Sequence, residues 1–125
     1  MKIAIDLDDT ITASKSSVEF FRIITQLLIP EHDIVIISNR NESDREDVEE
    51  YLSVLGIRYN KVVLTQDKAS YILKHNIHLL FEDTDEYFQV LPESVLVFKV
   101  REEGNFNFKS HKWIGSQKTV DLIDE

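Results

Sequence analysis

The chain repeats one alternation over most of its length: a short, nearly unbroken apolar run, then a stretch with helical periodicity. The first run is Lys2 to Asp8, where Ile3, Ala4, Ile5 and Leu7 are almost contiguous. A half-exposed strand alternates apolar and polar residues, whereas a run like this suits a parallel strand covered on both faces. His32 to Ser38, Val62 to Leu64, Ile77 to Phe81 and the β-branched and aromatic Val95 to Val100 supply four more. Between them, Ser16 and Glu19 form a capping-box pattern ahead of Phe20, Phe21, Ile24, Leu27 and Leu28, a run that Pro30 stops. Ser43 and Glu46 open a second helix carrying Val48, Tyr51, Leu52 and Leu55, with Gly56 placed to end it. Ala69, Ile72 and Leu73 mark a third, which Asn76 closes, and a short polar stretch with Tyr87, Phe88, Val90 and Leu91 leads to the last strand. Short connections and right-handed crossovers then predict an α/β fold: a three-layer, doubly wound, Rossmann-like parallel sheet of about five strands.

At 125 residues and 42% hydrophobic content, the sequence has enough apolar side chain for one core, so 1–125 is expected as one domain with its core over about 1–100. No apolar run nears the length of a membrane span, and Met1 leads directly into strand-like sequence; the expectation is a cytoplasmic protein with no membrane partner. The absence of cysteine excludes thiolate metal sites and cysteine nucleophiles. A formal charge of -9 has the wrong sign for gripping a nucleic-acid duplex. From Arg101 onward the pattern fades into a tail with Phe106, Phe108, His111, Lys112 and Trp113, then a last helical pattern near Val120, Leu122 and Ile123. Two readings of those aromatics stand: they fold back on the core, or they form a substrate wall or subunit contact.

In an open parallel sheet, ligands bind beyond the carboxyl ends of the strands, so the residues found there are the informative ones. Strand one ends in Asp6, Asp8, Asp9 and Thr10; strand two in Ser38, Asn39 and Arg40; the third helix opens near Lys68; strand four ends in Glu82, Asp83 and Asp85. Carboxylates from strands one and four, drawn together in a crevice, must take up protons or a cation. All-oxygen ligation without a nearby His suits Mg2+. Asp9 and Asp85 read better as caps or turn residues. Lys68 sits at a helix start, where a cation is disfavoured, so another partner must compensate it. An anion at the rim would gain from Lys68, Ser38 and the helix-start amides; Arg40 either adds a second cation or pairs with Glu42 or Asp44. His32, His75 and His78 lie at element boundaries and read as structural, with His111 open to substrate contact.

Asp6-Leu7-Asp8-Asp9-Thr10 after an apolar strand resembles motif I of the haloacid dehalogenase (HAD) superfamily, Asp-x-Asp-x-Thr/Val. Ile36-Ile37-Ser38 is similar to motif II, Lys68 to the lysine of motif III, and Leu79-Leu80-Phe81-Glu82-Asp83 to motif IV. The resemblance covers about residues 1–100, and a looser one to the 5'-nucleotidase type C branch runs from Ser38-Asn39-Arg40 through Lys68 to Glu82-Asp83. It implies a magnesium-dependent phosphatase. Asp6 would be the nucleophile that forms an aspartyl-phosphate, and Asp8 the acid and then base. Mg2+ would be held by Asp6, the Asp8 backbone carbonyl and Asp83, with Glu82 as the rival to Asp83. Ser38 and Lys68 would hold phosphoryl oxygens, joined on the rim by Asn39, Thr10 and Arg40. Alternation in an extended segment would put Asp6 and Asp8 on one side.

The second acid, Asp8, points to phosphate rather than halide. Asp8 to Ser38 and Ser38 to Lys68 each span 30 residues, too few for an inserted domain, so the resemblance is to a capless member. Such an open site accepts phosphorylated metabolites or macromolecular phosphoesters, or is closed by a second subunit in a homo-oligomer. Two other classes compete. A receiver domain needs a phosphoacceptor Asp after strand three, where Thr65-Gln66-Asp67 stands, and a Lys after strand five, where Lys99 lies inside the strand. A non-catalytic phosphate-binding module would keep the fold without needing Asp6, Asp8, Ser38, Lys68 and Asp83 together.

Overall fold

The computed structural model describes residues 1–114. Five parallel strands, β1 (Lys2–Asp6), β2 (Asp33–Ser38), β3 (Lys61–Leu64), β4 (Leu79–Glu82) and β5 (Leu96–Lys99), form one sheet in the order β3-β2-β1-β4-β5. The helices α1 (Lys15–Leu28), α2 (Arg45–Leu55), α3 (Lys68–Lys74) and the short α4 (Glu86–Val90) flank it. The order reverses between β1 and β4, which opens a crevice at their carboxyl ends. A receiver domain has the flavodoxin-like order 2-1-3-4-5, so this topology excludes that class.

The unbroken apolar runs are explained by where alternate residues point. Ile3, Ile5, Ile34, Ile36 and Val62 pack with Val18 and Phe21 of α1 and Val48, Leu52 and Leu55 of α2 on one face. Ala4, Val35, Ile37, Val63 and Leu80 pack with Ile72 of α3 on the other. Each buried large aliphatic side chain adds about 1.5–3 kcal/mol, so both layers hold the sheet. The same parity carries Asp6 to the side of Ala4, and Glu82 to the side of Leu80, facing α3.

Several boundaries differ from expectation. Strand one ends at Asp6, and residues 7–10 form a turn in which Asp9 has φ 64. The Leu7 carbonyl there accepts from the Thr12 N–H at 3.2 Å, so Asp6 and Asp8 do not share a side through strand alternation. Helix α1 is capped by Ser14, whose hydroxyl accepts from the Ser17 N–H, rather than by a Ser16–Glu19 box. Ser14 holds the extended backbone an N-cap requires, while Ser16 is already helical. The second helix is preceded by a 3₁₀ turn, Glu42–Asp44, with its capping box between Asn41 and Asp44. Gly56 does end α2, in the left-handed conformation at φ 76. The short polar stretch after β4 holds a further helix, α4.

The β1–β2 and β2–β3 connections contain only α1, α2 and single 3₁₀ turns, so no cap domain is inserted there. After β5, where the sequence pattern fades into a tail, the chain forms a small antiparallel hairpin, β6 (Phe106–Asn107) and β7 (Lys112–Trp113). The helical pattern near Val120, Leu122 and Ile123 lies outside the described residues. No described helix is long and apolar enough to cross a membrane.

Candidate active site

One residue beyond the last registered pair of β1 and β4, Ile5 with Phe81, the two strands present Asp6 and Glu82 to the same side. Lys68, the first residue of α3, reaches between them: its Nζ lies 2.5 Å from Asp6 Oδ1 and 3.2 Å from Glu82 Oε2. All three side chains are buried. The unfavourable place of Lys68 at a helix start is thus compensated, by two carboxylates of the chain itself. The cap of α3 is left to Asp67, which accepts from the Ser70 N–H.

The other oxygen of Asp6, Oδ2, accepts from the Thr10 hydroxyl at 2.8 Å, and that hydroxyl also lies 3.1 Å from Asp83 Oδ1. A hydroxyl has one proton to donate, so it does not fully serve two ionised carboxylates. Asp83 Oδ2 accepts from the Trp113 indole at 2.6 Å, and the Asp83 N–H donates to Glu82 Oε1 at 3.0 Å.

Oxygens of Asp6, Glu82 and Asp83 lie within 4.8 Å of one another. Burial pushes the Asp6 carboxyl well above the usual range; Lys68 opposes this, while Glu82 and Asp83 add to it. Burial also pushes Glu82 up to about 7 against the pull of Lys68. For Asp83, burial works against ionisation, but hydrogen bonding with Glu82, Asp6, Trp113 and Thr10 outweighs it and leaves the carboxyl below its usual value. Burial likewise works against the Lys68 ammonium, and Asp6 and Glu82 overcome it. Three carboxylates against one ammonium leave a formal excess of two negative charges when all are ionised. A hard divalent cation relieves that excess, and the all-oxygen donor set fits one.

The remaining rim residues divide. A cavity of about 260 Å³ is lined by Asp6, Asp8, Asp9, Asn39, Lys68, Glu82 and Asp83, and also by Thr84, Glu86, Tyr87 and Trp113. Asp8 stands apart from the three gathered carboxylates. It is gripped at both oxygens by Arg40, which therefore pairs with neither Glu42 nor Asp44. Thr10 holds carboxylates. Ser38 is buried, its hydroxyl accepting from the Arg40 N–H at 3.2 Å, and it is not among the residues lining the cavity. The Asn39 carbonyl is bonded by the Gln66 side chain. Asp85 pairs with Lys99 and Arg101 away from the cluster. The histidines at element boundaries are structural contacts: His32 Nδ1 meets the N-terminus, His78 Nδ1 accepts from the Lys2 N–H, and His75 stacks on Tyr71. A larger cavity of about 540 Å³ on the α1 side is lined by Phe20, Phe21, Phe81 and Phe98, apart from the acidic cluster.

Two site residues were not singled out from sequence. Tyr87 lines the cavity, with the Lys68 ammonium 5.6 Å from its ring centre. Asn105 is fully buried; its amide donates to the Asp9 carbonyl at 2.6 Å and the Val100 carbonyl at 2.9 Å, and its Oδ1 accepts from the Glu102 N–H. No sequence signal pointed to a partner 96 positions away.

The fold and site together define a doubly wound α/β unit with an acidic, lysine-bridged crevice at its switch point. No protein-family model matches the chain, and no curated protein does. Among solved structures, it is similar to a chain of the Pnkp1/Rnl/Hen1 complex, with TM-score 0.62 and 18% identity over 79% of this chain and 45% of that one. A chain of the Pnkp1/Rnl/Hen1 RNA repair complex gives TM-score 0.61 and 16% identity over 79% and 42%. This chain thus spans less than half the length of either, and the likeness is one of fold. These findings overturn the assignment to the HAD superfamily and to its 5'-nucleotidase type C branch: no family model supports either, and the structural neighbours are RNA repair components. The physical reason is that motifs of one to five residues record which side chains meet at strand ends. Any parallel sheet that gathers carboxylates and a lysine at its switch point presents the same stations.

Proposed function

We propose that this domain is a magnesium-dependent phosphohydrolase that cleaves a phosphomonoester through an aspartyl-phosphate on Asp6. The observation that carries the reading is the placement of Asp6, with Lys68 on one carboxylate oxygen, Thr10 on the other, and Glu82 and Asp83 alongside at the floor of an open cavity. Asp6 and Asp83 are the residues to hold Mg2+, with Glu82 chiefly anchoring Lys68; the bound ion would neutralise charge on the cluster and on a phosphoryl group.

In the first half-reaction a carboxylate oxygen of Asp6 attacks phosphorus. The bond to the leaving oxygen breaks, and Asp8 gives that oxygen its proton. In the second, Asp8 takes a proton from water as the water attacks phosphorus and releases Asp6. Lys68 stabilises the negative oxygens as charge moves between them. Asp8 is free for this role only when Arg40 leaves it, and a phosphoryl group entering beside Asp8 is a competing anion for the guanidinium.

The likeness to RNA repair chains supports including a polynucleotide end among the substrates, while the charge of -9 favours a small or single-stranded substrate over a duplex. The test is phosphate release from sugar phosphates, nucleotides, an aryl phosphate and a short single-stranded RNA with a terminal phosphate, each with magnesium and with chelator. Release by wild type that is lost both with chelator and in Asp6→Asn supports the reading; turnover by Asp6→Asn comparable to wild type overturns the nucleophile. A non-catalytic phosphate-binding module is the alternative, favoured if substrates bind without release.

A further inference from the structure

Asp83 follows β4 directly, and its carboxylate meets two neutral hydrogen-bond donors from distant parts of the chain. Thr10, from the turn after β1, meets Oδ1 at 3.1 Å, and the Trp113 indole donates to Oδ2 at 2.6 Å. An indole N–H donates only, so Trp113 does not compete for a cation, and a carboxylate oxygen that accepts one hydrogen bond keeps a second lone pair.

The contact is built into the fold. Trp113 lies on the β6–β7 hairpin opposite Phe106. Asn105, next to Phe106, ties that hairpin to the Asp9 and Val100 carbonyls, and its own carbonyl accepts from the Ile114 N–H at 2.8 Å. Arg101 covers the Phe106 ring at 4.0 Å. At Gly104 a Cβ would lie 1.7 Å from the Ala13 carbonyl oxygen, so the approach needs glycine. The indole is thus held at the cavity mouth, 44% exposed, by the turns leaving β1 and β5.

We propose that Trp113 is a positioning residue for Asp83: the C-terminal hairpin completes the acidic site by fixing the orientation of the carboxylate that binds the divalent ion. This rests on the metal site of the proposed function. Hydrogen-bond partners of metal ligands set ligand orientation, and their loss costs about 10- to 100-fold in metal affinity.

Calorimetric titration of Mg2+ into chelator-treated wild type and Trp113→Phe, which keeps a ring and removes the donor, tests this. The expected result is binding about 10- to 100-fold weaker in the variant, with its metal-free melting temperature close to wild type. Equal affinities overturn the proposal and leave the metal site standing, whereas no Mg2+ binding by wild type overturns both. The chain has a single tryptophan, so its indole N–H gives one cross-peak in a ¹H–¹⁵N spectrum of wild type. A peak that shifts over the range of Mg2+ that saturates the calorimetric site supports the proposal, independently of how the variant folds. A peak that stays still while the site fills overturns it.

Discussion

Arg40 clasps Asp8 with two hydrogen bonds, Nε to Oδ2 at 2.9 Å and Nη2 to Oδ1 at 2.7 Å. Both side chains are about one-third exposed, so the pair adds roughly 1 kcal/mol or less to stability. Under the proposed mechanism its role lies in substrate binding. If the guanidinium passes from Asp8 to an incoming phosphoryl group, Arg40→Ala loses a charge-assisted contact worth about 1.5–3 kcal/mol in substrate binding. The expected outcome is a KM raised about tenfold or more, with kcat within a few-fold and the urea midpoint nearly unchanged. Steady-state kinetics check this; an unchanged KM would show that Arg40 stays on Asp8 throughout.

The buried carboxylates give the metal-free protein a defined response to pH. Glu82 is raised from 4.5 to about 7, and Asp6 is raised in the same direction. A carboxyl whose folded pKa exceeds its unfolded value contributes stability below the unfolded pKa and loses it as pH climbs through the folded one. Asp83, lowered from its usual value, titrates below this window and Lys68 far above it, so neither alters the sign. In chelator, the melting temperature is therefore expected to fall as pH rises from about 4.5 through about 7, and magnesium should restore most at the alkaline end. A melting series at several pH values, with and without Mg2+, measures both.

Lys68 offsets two carboxylates in the driest part of the site. Lys68→Met removes the cation and strands Asp6 and Glu82, a change expected to cost about 3–5 kcal/mol near neutral pH. The loss should shrink as pH falls, because both groups then take up protons. Chemical denaturation at pH 5 and pH 8 separates this from a simple packing defect, whose cost would be the same at both.

The hairpin depends on Asn105 and Gly104. Asn105→Ala leaves the buried Asp9 carbonyl and the partly buried Val100 carbonyl without their amide donor, at a cost of about 1–3 kcal/mol. Gly104→Ala drives a Cβ into the Ala13 backbone and should displace the hairpin. Both variants are expected to raise hydrogen exchange at the Trp113 indole more than in the β1–β4 core, which a per-site exchange measurement reads directly.

Much of the site was legible because the chemistry of a parallel sheet is collected where its strands end. Asp6, Lys68, Glu82 and Asp83 were each identifiable as polar residues following an apolar run or opening a helix, and strand parity accounts for why Asp6 and Glu82 face α3. Arg40 with Asp8, Thr10 with two carboxylates, and Trp113 with Asp83 were not identifiable that way. Each joins groups whose separation depends on how turns bend, and the turn after β1 begins earlier than hydrophobicity alone suggests.

What the sequence determined by itself is the layer architecture and the stations on its rim, since contiguous apolar strands, amphipathic helices and capped ends are properties of neighbouring residues. The tertiary structure decided the strand order, the clustering of Glu82 with Asp6 around Lys68, and the placing of a hairpin from the end of the described chain against the site. Those depend on contacts between residues far apart in sequence, as Asn105 with Asp9 illustrates, where burial forces polar groups to find partners that no local pattern encodes.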